Sequence, residues 1–212
     1  MFTCVLCSIF EDLFGHSSFQ VDILFLMDSS SGVNSQDYET QKIFVQRIAM
    51  HLGIFTGRSR AALVAYGANS LVIFGFGGYN SSAEFGRRLV DAPMFGGDRR
   101  VDRALDTAAA LMLGARSAMP KVVVLIMGGE QSNMTDAVAI TDSARPLRDL
   151  GAWLYVAAVG RSDPSELQKA TLRPTDIFFA KSFSSLYRYI SPMGRYIANT
   201  SGKTSWHDRF FN

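Results

Sequence analysis

Residues 21–33 read "VDILFLMDSSSGV", and the order of apolar and polar positions within them decides the fold. Ile23 to Met27 are apolar without alternation, which is what a parallel strand covered on both faces requires. The run stops abruptly on Asp28, Ser29, Ser30, Ser31 and Gly32. In open α/β sheets ligands sit outside the carboxyl ends of the strands. A carboxylate beside hydroxyls is the donor chemistry of a hard-cation site. The same hydroxyls also suit the cap of a following helix.

The segments that follow extend this reading. "SQDYETQKIFVQRIAMHLG" predicts a helix, with Ile43, Phe44, Arg47 and Ile48 set among polar residues at helical spacing, Ser35 as N-cap and Gly53 as its stop. "RAALVAYG" and "SLVIFGF" predict two strands joined at Gly67-Ala68-Asn69, hence an antiparallel hairpin. Helices are expected near 81–91 and 101–114. "KVVVLIM" (121–127) is a second buried strand, followed by a helix over roughly 135–150. "AWLYVAAVG" (152–160) is a third strand, and "DPSELQKA" opens a short helix with Pro164 in its first turn. "DIFFA" (176–180) is a last strand, and "SSLYRYISPMGRYIA" a closing helix that Pro192 should kink or break. Strands alternating with helices imply a doubly wound α/β fold. Its central sheet is mainly parallel, with one antiparallel edge strand and helices on both faces. Residues 1–19 read as a lead-in segment, 20–198 as the domain and 199–212 as a C-terminal extension.

Composition narrows the function. The chain has 212 residues, 48% hydrophobic and 19% charged, which suits a globular domain. A net charge of +2 gives no argument for nucleic acid, and no 18-residue apolar run is present to span a membrane. "MFTCVLCSIFEDLFGHSS" makes a poor signal peptide, because it lacks a basic start and Glu11 and Asp12 interrupt its apolar run. Cys4 and Cys7 read as linker cysteines that pair with each other or with a neighbouring segment. "SGKT" (201–204) echoes a phosphate loop, but Ile197 stands where that loop needs a glycine. His16, His51 and His207 fall in the lead-in, at a helix end and in the tail, so no acid/base pair forms beside Asp28. Three glycosylation sequons occur, at Asn80, Asn133 and Asn199, with Asn80 in the surface loop "GGYNSSAE". "YRYISPMGRY" mixes arginine with tyrosine, a combination favoured at protein interfaces and equally given by a closing amphipathic helix.

The element order, with "VDILFLMDSSSGV", "FGGDRRVDRAL", "PKVVVLIMGG" and the "AVG…SELQKA…IFFA" ending, resembles the von Willebrand factor type A domain. It is most similar to the A domains of matrix proteins such as collagen VI and the matrilins. The resemblance covers residues 20 to 198. It implies a metal-ion-dependent adhesion site (MIDAS), with D-x-S-x-S in the first loop, a threonine in a G-G-x-T loop and an aspartate ending the fourth strand. Asp28 and Ser30 match. The second serine falls on Gly32, with Ser31 displaced by one. The threonine falls on Arg99 or Arg100, and the late aspartate on Gly128.

A guanidinium in place of a threonine puts positive charge where a cation would sit. Pairing of Asp28 with Arg99 or Arg100 is therefore expected to replace the metal. Glu130 is the one carboxylate that could restore a Mg²⁺ site with Asp28 and Ser30. "GDRRVDR" (97–103) otherwise reads as a solvated helix start beside the binding face. The resemblance implies a secreted, extracellular, non-enzymatic module without a cofactor. Its partners would be a matrix protein such as a collagen, the neighbouring domains of a parent protein, or an acidic glycan. The alternatives are a Mg²⁺-dependent adhesion domain with a rearranged site and a small nucleotide-binding or hydrolytic α/β enzyme.

Overall fold

The computed structural model describes residues 20–54, 59–171 and 173–201. The elements run β1 (Asp22–Asp28), α1 (Ser35–His51), β2 (Arg60–Tyr66), β3 (Ser70–Phe74), α2 (Ser82–Val90), α3 (Val101–Met112), β4 (Lys121–Met127), α4 (Ile140–Ser143), α5 (Arg145–Asp149), β5 (Ala152–Val159), α6 (Pro164–Thr171), β6 (Ile177–Ala180) and α7 (Ile190–Ser201). Turns of 3₁₀ helix occupy Pro174–Asp176 and Phe183–Tyr189. The strands form one sheet in the order β3-β2-β1-β4-β5-β6, and β3 alone pairs antiparallel. The order reverses between β1 and β4, so the crevice beyond their carboxyl ends is where this fold collects ligands.

The unbroken apolar runs explain the layering. Ile23, Phe25 and Met27 of β1 and Val122, Val124 and Ile126 of β4 face one core, closed by Phe44, Val45 and Ile48 of α1 with Met193 and Ile197 of α7. Leu24, Leu26, Val123 and Leu125 face the other, closed by Val101, Leu105 and Met112 of α3 and Leu167 of α6. A strand with apolar side chains on both faces fits only between two helical layers. At the β6 edge the Tyr189 hydroxyl donates to the Phe179 carbonyl at 2.7 Å, which occupies one of the edge's open acceptors.

Several local expectations are corrected. Asn34, not Ser35, caps α1, accepting from the Asp37 N–H. Ile43 lies on the outer surface of α1 although Phe44 and Ile48 are buried. The helix expected over 135–150 is reduced to α4 and α5. Asp102 at the start of α3 and Gln131 in the loop after β4 take up the backbone before α4, since the Val138 N–H donates to Asp102 Oδ2 and Gln131 Nε2 donates to the Val138 carbonyl. The closing helix is divided at Tyr189–Ile190, before Pro192. Pro192 itself sits in the first turn of α7, where its missing N–H would have had no intrahelical partner. Helix α7 continues to Ser201, beyond residue 198. The lead-in 1–19, Cys4, Cys7, His16 and His207 lie outside the described residues.

Asp22, at the start of β1, is fully buried and carries two arginines. Arg60 donates through Nε and Nη2 at 3.1 and 2.5 Å, and Arg116 through Nε, Nη2 and its backbone N–H at 3.0, 2.7 and 2.7 Å. Burial alone would raise the carboxyl's pKa, but these bonds hold it below the usual carboxylate range. A depressed folded-state pKa contributes stability that is complete above the unfolded value of about 3.9 and is lost as pH falls through the folded value. Asp22→Asn should therefore lower unfolding free energy by about 1–3 kcal/mol at neutral pH. In urea melts the gap between wild type and variant should close as the pH is lowered below about 3.9.

Candidate functional site

Asp28 ends β1 with no exposed surface. Gln41 of α1 brackets its backbone, accepting from the Asp28 N–H and donating to its carbonyl, each at 2.8 Å. The carboxylate takes three donors. Ser30 N–H reaches Oδ1 at 2.9 Å, while Gly128 N–H and Arg99 Nε reach Oδ2 at 2.8 and 2.5 Å. The Arg99 side chain is 11% exposed, so this ion pair is shielded from water.

Arg99 does more than neutralise. Its Nη1 donates to the Glu130 carbonyl at 3.0 Å, its backbone N–H to the Ser132 hydroxyl at 2.9 Å, and its carbonyl accepts from Ser132 N–H at 3.0 Å. One side chain thus joins the loops after β1 and β4 to its own loop before α3. The serines complete the stitching. The Ser29 hydroxyl accepts from Phe95 N–H and the Ser31 hydroxyl from Gly97 N–H, both at 2.8 Å. Gly97 has φ +84°, and a Cβ there would stand 2.6 Å from the Ala68 Cβ, so glycine is required.

At two of the expected site positions, both glycine, a side chain would require a neighbour to shift. A Cβ on Gly32 would lie 2.5 Å from Arg99 Nη2. One on Gly128 would lie 2.8 Å from the Phe183 ring and 3.2 Å from Val33. Phe183, which no sequence motif singled out, fills the space beside Gly128. The Ser30 hydroxyl and Arg99 Nη2 are buried without a hydrogen-bond partner among the described residues. Glu130 is exposed and takes part through its backbone carbonyl.

Of the two candidate arginines, Arg99 reaches Asp28 and Arg100 turns away. Arg100 grips Asp102 through Nε and Nη2 at 2.9 and 2.7 Å, and Asp136 through Nη1 at 2.9 and 3.0 Å. The Asp102 side chain raises the Arg100 pKa further. Burial would raise Asp102, but Arg100 and the backbone N–H groups of Val138 and Arg103 hold it below the usual range. Arg100 is only 5% exposed, which corrects the reading of a solvated helix start. The sequence reading missed Gln41. It stands three, four and seven residues before Phe44, Val45 and Ile48, and a polar residue on that apolar stripe was the available signal. Asn80 and Asn133 are exposed in bends or loops, and Asn199 is exposed in the last turn of α7.

In doubly wound α/β domains ligands collect beyond the carboxyl ends of the strands where the order reverses, and here the polar groups gather at that β1/β4 switch point. The chain belongs to the von Willebrand factor type A domain family, which it matches over residues 22–191. It is 30% identical over 164 residues to von Willebrand factor A domain-containing protein 1 of Bos taurus, covering 76% of this chain and 38% of that protein. It is 24% identical to matrilin-1 of Gallus gallus, covering 91% of this chain and 37% of that protein. The fold is shared with proximal thread matrix protein 1 of the mussel byssus, at TM-score 0.76 and 21% identity over 86% of this chain and 47% of that one. A form of that mussel protein with a zinc-occupied MIDAS motif superposes at TM-score 0.75 and 22% identity, over 85% of this chain and 46% of that one. The chain spans less than half the length of each of these relatives.

Arg99→Thr should strand a buried carboxylate and lower stability by about 1–3 kcal/mol, more than an exposed ion pair would. Combining it with Asp28→Asn should cost less than the two single changes summed, whereas Arg100→Thr with Asp28→Asn should add. Urea unfolding of the five variants measures both cycles.

Proposed function

We propose that this domain is a non-enzymatic protein-interaction module of an extracellular matrix or adhesive assembly, and that its binding needs no metal. The observation that carries this reading is the 2.5 Å contact of Arg99 Nε with Asp28 Oδ2, which sets a guanidinium on the carboxylate that a cation would need. The residues do not fit a divalent ion. Hard cations take six or more oxygen ligands, and here one carboxylate is already occupied by three donors. Ser31 spends its hydroxyl on Gly97, and Phe183 occupies the space beside Gly128. Among the described residues no three His, Cys, Asp or Glu side chains gather for a metal. A Mg²⁺ site rebuilt from Asp28, Ser30 and Glu130 would first have to displace Arg99 from two loops.

The matrix setting is supported by relatives such as matrilin-1 and the thread matrix protein. Among the described residues no helix is long and apolar enough to cross a membrane. A matrix protein such as a collagen, or a neighbouring domain of a longer parent chain, is the partner class this reading favours. Secretion would make Asn80 the preferred glycan acceptor, since Asn133 lies on the loop that Arg99 holds.

Titration calorimetry with Mg²⁺ and Mn²⁺ should give no saturable heat. Surface plasmon resonance against immobilised matrix extract should give the same response with and without EDTA. A micromolar isotherm abolished by Asp28→Ala, or loss of binding in EDTA, would replace this reading with the metal-dependent one.

A further inference from the structure

A second surface, away from the Arg99 loops, has the composition of a docking site. From Ile177 to Ser201 the chain carries Lys181, Arg188 and Arg195 and no acidic residue. These three side chains, and Arg47 on the adjoining helix α1, make no ion pair or side-chain hydrogen bond among the described residues. Lys121, Arg161 and Lys169 are likewise without an ion pair among the described residues, but they lie on other parts of the fold, whereas Arg60, Arg99, Arg100, Arg103, Arg116 and Arg173 each hold a carboxylate. The acids at the start of α1 do not serve them. Asp37 accepts from Asn34, and Glu39 pairs with Lys42.

The 3₁₀ turn Phe183–Tyr189, which carries Arg188, packs against both α1, which carries Arg47, and α7, which carries Arg195. Ile43, Arg47 and His51 are spaced four residues apart along α1 and so form one stripe. The His51 ring lies against Gly194 of α7, where a Cβ would come within 2.1 Å of it, so the stripe runs directly into α7. Burial lowers the His51 pKa, and the nearby charge of Arg195 lowers it further. Apolar and aromatic surface is interleaved with the charge. Ile43 is 39% exposed, Tyr187 43% and Tyr196 44%, and the Tyr196 ring leans on Phe178 of β6 at 6.0 Å.

We infer that the face formed by α1, α7 and the 3₁₀ turn between β6 and α7, through Arg47, Arg188 and Arg195, binds an acidic segment of a partner protein that also carries apolar side chains. Uncompensated guanidinium groups supply the charge complement and the planar fork that carboxylates accept. The aliphatic Ile43 and the tyrosines between them favour a peptide over a sulfated glycan, because a glycan has no apolar side chains to cover them. Arginine and tyrosine are also the residues that concentrate binding energy at interfaces.

The test is fluorescence anisotropy of the full 212-residue chain with a fluorescein-labelled peptide of repeating Glu-Glu-Leu units. Saturable binding that weakens with salt is expected, and Arg188→Gln with Arg195→Gln should weaken it about tenfold. The charge-matched pair Lys121→Gln with Lys169→Gln should change it less than about twofold. Ile43→Ser should weaken binding several-fold while leaving the salt slope intact. Circular dichroism melts check that each variant folds, and Arg47→Glu gives an independent charge change on another helix. Equal losses in the two double variants would overturn the inference, as would binding of a heparin fragment but not the peptide. A concentration-dependent dimer abolished by Arg188→Gln with Arg195→Gln would assign the face to a second copy of the chain instead.

Discussion

A carboxylate with no exposed surface cannot stay ionised unless something compensates it, and at Asp28 the compensation organises the whole upper face. Two backbone N–H groups would have satisfied its hydrogen bonding but not its charge. The guanidinium of Arg99 does both, and its Nη1 binds the loop after β4. The loops after β1 and β4 and before α3 thereby share one electrostatic centre. Ser29, Ser31 and Ser132 then fix backbone already brought close.

The same device appears at the other end of the same strand. β1 opens on Asp22 and closes on Asp28, both fully buried and both met by arginines from distant parts of the chain. Arg60, Arg99 and Arg116 lie 38, 71 and 94 residues from their carboxylates in sequence. Neither charge can be neutralised by local structure. Both therefore become favourable only once β2, β4 and the loop before α3 have assembled around β1, which ties the central strand's burial to completion of the sheet.

The sheet was legible because its signals are local. Ile23–Met27 and Val122–Met127 announce burial on both faces without reference to anything else, and the Gly67-Ala68-Asn69 turn announces the hairpin. The helix expected over 135–150 begins only at Ile140, because Asp102 from the start of α3 takes the Val138 N–H and Gln131 takes its carbonyl, overriding local propensity. At the site, residue types indicated that an arginine would meet Asp28, but not which one. Arg99 and Arg100 are adjacent and chemically identical. Only the backbone path at the start of α3 sends one to Asp28 and the other to Asp102 and Asp136. Phe183 was invisible for a similar reason: its contact with Gly128 exists only across the sheet.

The two glycine contacts mean that substitutions on this face cannot act independently. A lone serine at Gly32 would drive its Cβ into the Arg99 guanidinium, and a lone aspartate at Gly128 would drive its Cβ into Phe183. Replacing Arg99 first would leave Asp28 uncompensated. Each single step toward an all-oxygen ligand set is therefore opposed by a residue that only a different step removes. Such mutual obstruction is epistasis with a geometric origin, and it couples Asp28, Gly32, Arg99 and Gly128 to one another.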